Sequence, residues 1–497
     1  MIFPEKFNYA LIIIISFIVI ACSDFNSKTI LVQNTTIIDG SGKNRFLGSV
    51  RIKDKNIVEI GKITVLETDS IIDGSGMILS PGFIDTHSHH DWDTLRTVDA
   101  AISQGITTII VGQDGRSFLP LEKYYDSLEN YPLSTNLGSY VGHGSIRRTI
   151  MGDNYKREAS QIEIDSMKSF LHREIQSGGL GLGTGLEYDP GIYSSTNEVI
   201  QLAKVASEYG GRYISHMRSE DMYLEKSIQE ILQIGKEADI PVQISHFKLA
   251  RRSLWGQASK ILKVLDSARN EGIDVTADIY PYEYWQSTMT VLFPKRDFEN
   301  RESAEFALTE LTSPEGMIIS DFDAVPEYEG LTLDKIAEIR NEDVITTYLS
   351  LIKLSFEMPG ESIIAKSMDL KDIKTIIKWP FTNICSDGSS DGHPRGWGAF
   401  PRYLSMDSGE SLEEKIKKMT FQSAKNLHLD KIGLIRKNFY ADLVLFNPNT
   451  IKDNATYKKN SLRSSGIEMV IVSGNVVYNN QKPTKKFPGR IVRLNME

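Results

Sequence analysis

The chain has 497 residues, of which 40% are hydrophobic and 24% are charged, a composition typical of globular proteins. This length allows a large catalytic domain together with a smaller one. The formal net charge of −9, with no basic run to offset it, argues against a nucleic-acid-binding surface.

The N-terminus carries an apolar run typical of an export signal. Residues 11–21 (LIIIISFIVIA) are too few to span a bilayer, which takes about 20 apolar residues, but they fit the hydrophobic region of a secretory signal. The run ends in Val19-Ile20-Ala21-Cys22, which resembles a bacterial lipobox, a motif whose cysteine is lipidated. We therefore expect a lipoprotein signal peptide (1–21), a tether (22–28) and a membrane anchor at Cys22 in the bacterial cell envelope. An uncleaved anchor or a plain hydrophobic leader is the alternative.

Cysteine content agrees with this interpretation. Cys22 and Cys385 are the two cysteines of the sequence, so lipidation of Cys22 would leave one thiol and no intramolecular disulfide. The hydrophobic core must therefore stabilise the fold.

Short β-type runs occur at both ends of the chain. Those near the N-terminus are separated by Asp-Gly, Ser-Gly and Lys-Asn turns, and those near the C-terminus include a hairpin-like turn at Gly474-Asn475. The runs are 30–32, 49–53, 57–60, 441–446 and 469–478. We expect residues 29–80 and 430–497 to pair into one small β-domain.

The middle of the chain alternates strand-like and helix-like segments. The strand-like runs are 78–85, 106–111, 136–141, 179–185, 212–215, 242–245, 274–279 and 382–385. Helical stretches lie between most of them, one opened by a capping box at Ser160-Gln-Ile-Glu163. This alternation predicts an α/β fold, a (β/α)8 TIM barrel over residues 81–429 flanked by the small β-domain. Residues 290–380 interrupt it with helical and irregular pieces, which we expect to form a lid.

Four of the nine histidines stand at the ends of strand-like runs. They are His87, His89, His216 and His246, and Asp387 follows the last run. The carboxyl ends of barrel strands form the active face, and imidazole is a common ligand of zinc-like ions. This arrangement predicts a metal-dependent hydrolase. Buried or turn histidines are the alternative for each residue alone, but the shared position of all four favours a metal centre.

Several motifs resemble a known family. Residues 81–89 (PGFIDTHSH) are similar to the first-strand motif of the amidohydrolase superfamily. Five further motifs are similar to those of the D-aminoacylase branch, the N-acyl-D-amino-acid deacylases. They are GLGTGLEYDPG (181–191), SHMRSE (215–220), ISHFK (244–248), DIYPY (278–282) and HPRGWG (393–398). The resemblance covers most of residues 30–480.

The resemblance implies roles for these residues. His216 and His246 match the metal-binding histidines of strands five and six, and Asp387 matches the aspartate that acts as general base. The branch has a cysteine ligand after strand two, where this chain has Asp114; a carboxylate is a harder ligand and less selective for zinc. Glu187 could supply a second carboxylate and bridge two ions. One or two zinc-like ions are therefore expected, although Asp114 and Glu187 could also be ordinary turn or surface residues.

The same resemblance implies contacts to the substrate. Lys248, Tyr188, Tyr282 and Arg395 match positions that hold the free carboxylate of an N-acyl amino acid in the branch. Such cations and phenol hydroxyls suit a carboxylate. Each residue alone could equally be a packing or surface residue.

The predicted activity is metal-dependent hydrolysis of the amide of N-acyl-D-amino acids or related compounds. Cyclic-amide hydrolases of the dihydroorotase and hydantoinase type and deaminases share the metal framework, and one of these activities is the alternative. A surface lipoprotein that uses a barrel as a binding scaffold, with no enzymatic activity, is a third and less favoured alternative. The sequence leaves side chain, acyl chain, stereochemistry and oligomeric state open.

Overall fold

The structure is a computed structural model that describes residues 28–494. In this part of the chain the strands are β1 Thr29–Ile37, β2 Phe46–Lys53, β3 Asn56–Gly61, β4 Asp69–Asp73, β5 Ile78–Pro81, β6 Phe83–Asp85, β7 Ile106–Val111, β8 Asn136–Ser139, β9 Val141–Gly142, β10 Gly181–Gly185, β11 Arg212–His216, β12 Val242–Ile244, β13 Val275–Ile279, β14 Tyr284–Ser287, β15 Met317–Phe322, β16 Glu361–Lys366, β17 Thr382–Ile384, β18 Leu443–Phe446, β19 Ile467–Val472, β20 Asn475–Asn479 and β21 Lys482–Pro483. The helices are α1 Asp99–Ile102, α2 Leu121–Asn130, α3 His143–Met151, α4 Gln161–Gln176, α5 Thr196–Glu208, α6 Leu224–Ala238, α7 Ala258–Asn270, α8 Arg301–Phe306, α9 Leu333–Arg340, α10 Val344–Glu357, α11 Leu370–Lys378, α12 Arg395–Ser405, α13 Leu412–Met419 and α14 Phe421–Asn426.

A parallel barrel forms the centre of the molecule. Strands β6, β7 and β8 pair in one sheet and β9 to β13 pair with β17 in another. The predicted third strand is interrupted at Tyr140, so that β8 pairs with β7 while β9 pairs with β10. The ring closes where the backbone N–H of Asp387 donates to the carbonyl of His87 at 2.9 Å. The (β/α)8 barrel predicted from the sequence is confirmed.

The barrel strands are buried along their whole length. Every residue of β7 (ITTIIV) is buried, as expected for a parallel strand covered on both faces. Strand β10 (GLGTG) is equally buried, but three of its five residues are glycines, and one of them is required by a close backbone contact. A Cβ at Gly185 would collide with the carbonyl of Asp114, so this glycine lets the loop after β7 approach the barrel axis.

The flanking β-domain contains both ends of the described chain. Its nine-stranded sheet has the order β21-β20-β19-β18-β5-β1-β2-β3, with β4 added on β1. The two ends meet where β18 runs antiparallel to β5, and Leu79 and Leu443 are fully buried at this junction. The flanking domain predicted from both chain ends is thus confirmed, while the proposed limits 29–80, 81–429 and 430–497 stay predictions.

The interruption between β13 and β17 contains a small sheet of its own. Strands β14, β16 and β15 pair antiparallel in that order, and α8, α9 and α10 lie between β14 and β16 in the chain. The sequence indicated helical and irregular pieces here but not this sheet. Its first strand begins before residue 290, directly after β13.

No helix within residues 28–494 is long and apolar enough to cross a membrane. The predicted signal peptide and Cys22 lie outside the described residues.

Candidate active site

A cavity of about 260 Å³ opens at the carboxyl ends of the barrel strands. Charged and polar residues at or after the ends of those strands line it: His89, Asp114, Glu187, Tyr188, His216, Glu220, Asp221, His246, Lys248, Asp387 and Arg395. The insertion adds the apolar side chains of Trp285, Val291, Leu292 and Leu311, together with the polar residues Gln286, Ser287 and Ser367. A cavity lined by apolar side chains and by convergent polar groups suits a small-molecule ligand.

The first histidine pair faces two carboxylates. Nε2 of His87 and Nε2 of His89 each lie 3.3 Å from Oδ1 of Asp387. The same two nitrogens lie 3.6 and 3.4 Å from the oxygens of Asp114. These four side chains surround one point on the cavity floor.

The second histidine pair shares Asp114 with the first. Nδ1 of His216 lies 2.8 Å from Nε2 of His246. The two nitrogens lie 3.9 and 3.5 Å from Oδ1 of Asp114. Asp114 thus stands between both pairs, where one carboxylate can contact two ions.

The spacing of these atoms fits a divalent metal. Ligand atoms about 2.0–2.1 Å from a tetrahedral ion lie about 3.3–3.4 Å from each other, close to several of the distances in the cluster. His87, Asp114, His246 and Asp387 each offer one ligand atom, all within 4.8 Å of one another. Both ring nitrogens of buried His87 and Oδ1 of Asp114 lack hydrogen-bond partners. Because buried polar atoms are normally paired, this donor set fits one or two ions.

The backbone at the cluster is strained. Asp114, His246 and Asp387 have φ values of 52°, 35° and 48°, in a region that side chains other than those of Asn and Asp rarely enter. Each residue comes shortly after its barrel strand ends. The left-handed turn is where the chain leaves the strand, and backbone strain of this kind is common at active sites.

Each histidine of the second pair is held by a glutamate on the ring nitrogen that faces away from Asp114. Nε2 of His216 lies 2.8 Å from Oε2 of Glu187, and Nδ1 of His246 lies 3.0 Å from Oε1 of Glu220. Burial, together with the negative charges of Asp221 and Glu220, raises the pKa of Glu187. The family resemblance implies that Glu187 is a metal ligand, whereas the structure places its carboxylate behind His216.

Glu220 is a residue of the site that was not predicted from the sequence. The available signal was its position four residues after His216 in the SHMRSE motif. His216, Glu220 and His246 also offer ligand atoms within 4.8 Å of one another. The ammonium of Lys248, however, lies 2.6 Å from Glu220 and 2.7 Å from Nδ1 of His246, so a cation already occupies this position.

Asp387 and Arg395 form an ion pair at the cavity wall. NH1 of Arg395 lies 2.9 Å from Oδ2 of Asp387. Burial alone would raise the pKa of Asp387, but the charges of Arg395 and of nearby histidines hold it well below its usual range. These charges therefore favour the ionised form of the aspartate.

The expected substrate residues divide into two groups. Tyr188, Lys248 and Arg395 line the cavity, and the Tyr188 ring lies 4.4 Å from the His216 ring. Tyr282 is not among the lining residues, and its hydroxyl lies 3.4 Å from Oδ2 of Asp453. The neighbouring tyrosine of the same motif, Tyr280, instead lies under Arg395, whose guanidinium is 4.4 Å from the ring centre.

Comparison with known proteins gives full-length relatives. A model described as "Amidohydrolase family" matches residues 368–478. The D-aminoacylase of Alcaligenes xylosoxydans xylosoxydans is 32% identical over 505 residues, which cover 95% of this chain and 98% of that protein.

Solved structures of such proteins share the fold. A D-aminoacylase studied for the role of its binuclear metal centre aligns with a TM-score of 0.82 and 29% identity, covering 93% of this chain and 99% of the other. The N-acyl-D-glutamate deacylase of Bordetella bronchiseptica, in complex with zinc and a phosphonate mimic of the tetrahedral intermediate, aligns with a TM-score of 0.84 and 28% identity. That alignment covers 94% of this chain and 100% of the other.

Proposed function

The chain belongs to the amidohydrolase family, in the group of D-aminoacylases, and we propose from this that it hydrolyses N-acyl-D-amino acids to a carboxylate and a free D-amino acid. It is a metal-dependent hydrolase of carbon–nitrogen bonds other than peptide bonds. The observation that carries the proposal is the position of Asp387, between the histidines of the cluster and Arg395.

Arg395 and Lys248 suit a substrate with a free carboxylate. Both cations line the cavity, and Nε of buried Arg395 has no hydrogen-bond partner. A guanidinium recognises a carboxylate through paired N–H donors. Hydantoin hydrolysis and deamination need no such clamp, which favours an open-chain substrate over these two, whereas dihydroorotate has a carboxylate of its own.

His87, His89, His216, His246 and Asp114 would hold one or two divalent ions, zinc being the ion in the N-acyl-D-glutamate deacylase structure. When bound, such an ion lowers the pKa of water and polarises the acyl carbonyl. Asp114 supplies a hard carboxylate as the central ligand, which suits ions such as Mn²⁺ as well as zinc.

Asp387 moves the proton in the proposed reaction. Its Oδ1 accepts a proton from the attacking water and then delivers it to the departing nitrogen, because an amine leaves far more readily than an amide anion. Arg395 holds the other oxygen and so fixes the direction of Oδ1. We propose that the insertion acts as a lid, since Val291, Leu292 and Leu311 shield this step from bulk water.

The proposal is tested with zinc-loaded protein beginning at Ser23. Amine release is measured from matched N-acetyl-D- and N-acetyl-L-amino acids with acidic, apolar and basic side chains. Hydrolysis confined to the D series supports the proposal and identifies the side chain. If a protein shown to hold metal turns over neither series but opens a hydantoin or dihydroorotate, the cyclic-amide alternative replaces it.

We further propose that Cys22 is lipidated and anchors the enzyme in the bacterial envelope. The support is the apolar run that ends in Val-Ile-Ala-Cys. Incorporation of a labelled fatty acid into the full chain, but not into Cys22→Ala, is the expected result. Equal labelling of both proteins would remove Cys22 from this role.

A further inference from the structure

We propose that Glu187 and Glu220 are positioning residues, which orient the two histidines of the second pair from behind, and that neither of them is a metal ligand. The inference rests on the proposed metal-dependent activity but not on the identity of the substrate.

Glu187 determines which nitrogen of His216 faces the cluster. A hydrogen bond over the 2.8 Å between Nε2 of His216 and Oε2 of Glu187 places the proton on Nε2 when Glu187 is an ionised carboxylate. The lone pair of Nδ1 is then free on the side where His246 and Asp114 lie. Arg296 of the insertion donates to the carbonyl oxygen of Glu187, which fixes the loop that carries this carboxylate.

Glu220 contacts the outer ring nitrogen of His246 in a similar way, but here the Lys248 ammonium also lies 2.7 Å from that nitrogen. Its Oε1 lies 3.0 Å from Nδ1, while Nε2 on the opposite edge of the ring faces Asp114 at 3.5 Å. The other oxygen accepts from the ammonium of Lys248 at 2.6 Å. The backbone carbonyl of Glu220 accepts from Ala250 at 3.0 Å. Both ends of this buried residue are therefore fixed.

The ligand role fits these contacts less well. A metal-bound histidine usually donates its other N–H to a carboxylate, and both glutamates occupy that outer position. An ion between Glu220 and His246 would be in direct contact with the Lys248 ammonium, 2.6 and 2.7 Å from these two residues. Two like charges so close repel strongly in a buried site.

The test separates the number of bound ions from the affinity for them. Full-length protein and the variants Glu187→Ala, Glu187→Gln, Glu220→Ala and Glu220→Gln are saturated with Zn²⁺, and the ions per chain are counted by elemental analysis. The dissociation constant for Zn²⁺ is measured by competition with a chelator. The melting temperature of each metal-free protein is measured as well. Asp221→Asn is the control, because Asp221 lines the same cavity but its carboxylate contacts Ser219 and Met222 instead of a histidine.

We expect all variants to bind as many ions as the parent. The alanine variants should bind them about 10- to 100-fold more weakly, the range for loss of an outer partner of a metal-bound histidine. Glutamine should restore most of the affinity because its amide oxygen still accepts from the ring N–H, and Asp221→Asn should match the parent. Across the variants, the melting temperature of the metal-free protein should not correlate with the affinity for Zn²⁺.

Loss of one ion per chain in either glutamine variant would make that glutamate a ligand and overturn the proposal. An unchanged dissociation constant in the alanine variants would overturn it equally. Because no substrate is present, failure of the proposed deacylase activity would leave these results intact, and the two failures are distinguishable.

Discussion

The carboxylate of Asp387 contacts both Arg395 and the histidine cluster. NH1 of Arg395 lies 2.9 Å from Oδ2, and Oδ1 lies 3.3 Å from Nε2 of His87 and from Nε2 of His89. The two oxygens therefore have different contacts. Oδ2 is bound by the guanidinium of Arg395, and Oδ1 faces the histidine cluster, where we propose that the reaction takes place.

Replacing Asp387 by asparagine keeps the shape of the side chain but removes its ability to accept a proton. We expect Asp387→Asn to fold, to retain metal and to lose kcat by about 10²- to 10⁴-fold, the range for a lost acid–base group. Steady-state kinetics at matched metal content measures this. A rate close to that of the parent would exclude Asp387 from proton transfer.

Loss of Arg395 should affect substrates with a free carboxylate most. In Arg395→Ala we expect kcat/KM for an N-acyl-D-amino acid to fall about 10- to 100-fold, as for a lost hydrogen bond to a charged group. The neutral amide of the same substrate controls for indirect effects through Asp387. An equal loss for both substrates would show that Arg395 acts on Asp387 alone.

The second histidine pair should be needed for metal binding. We expect His216→Ala to lose bound zinc and turnover, because Nδ1 of this residue faces both His246 and Asp114. His172→Ala is the matched control, since His172 contacts Tyr209 away from the cavity. Elemental analysis of both variants makes the comparison, and full zinc content in His216→Ala contradicts the assignment.

Glu361 makes the stability of the insertion depend on pH. Burial raises its pKa from 4.5 to about 7, although the Met289 N–H partly opposes this. Between these two values the unfolded chain loses the proton before the folded chain does, so the free energy of unfolding falls as pH rises. The loss is complete above about pH 7 and amounts to roughly 3 kcal/mol.

Glu361→Gln should remove this loss. Urea denaturation at pH 4.5 and pH 8 should show a gain in stability over the parent at the higher pH and little difference at the lower. Glu357→Gln, at the exposed end of α10, controls for removal of a surface charge. A variant whose gain is the same at both pH values would contradict the prediction.

The barrel could be predicted because its signals are local. Polar residues stand at or shortly after the ends of several buried strands, and the carboxyl ends of parallel strands meet at one edge. This brought His87, His216, His246 and Asp387 to one site in the prediction and in the structure. The small sheet of the insertion gave no such signal, because β15 and β16 are separated by two helices and are only partly buried.

Long-range side-chain contacts could not be predicted from the sequence. The prediction placed Tyr282 at the cavity, but strand β13 ends at Ile279, and it is Tyr280 that lies under Arg395. Glu187 and Glu220 are both acidic residues near the histidines, and spacing alone cannot tell a metal ligand from the partner of a ligand. Only the ring orientation of His216 and His246 makes that distinction.

The left-handed backbone at Asp114, His246 and Asp387 has a consequence for directed evolution. Such conformations cost about 1–3 kcal/mol each in a residue other than glycine, so glycine at His246, or asparagine at Asp387, would relax or preserve the local geometry while removing the chemistry. A library of the metal-free protein selected for thermal tolerance alone should therefore favour glycine at position 246, and survivors with this change should be inactive. Selection for stability in this enzyme needs a simultaneous selection for turnover.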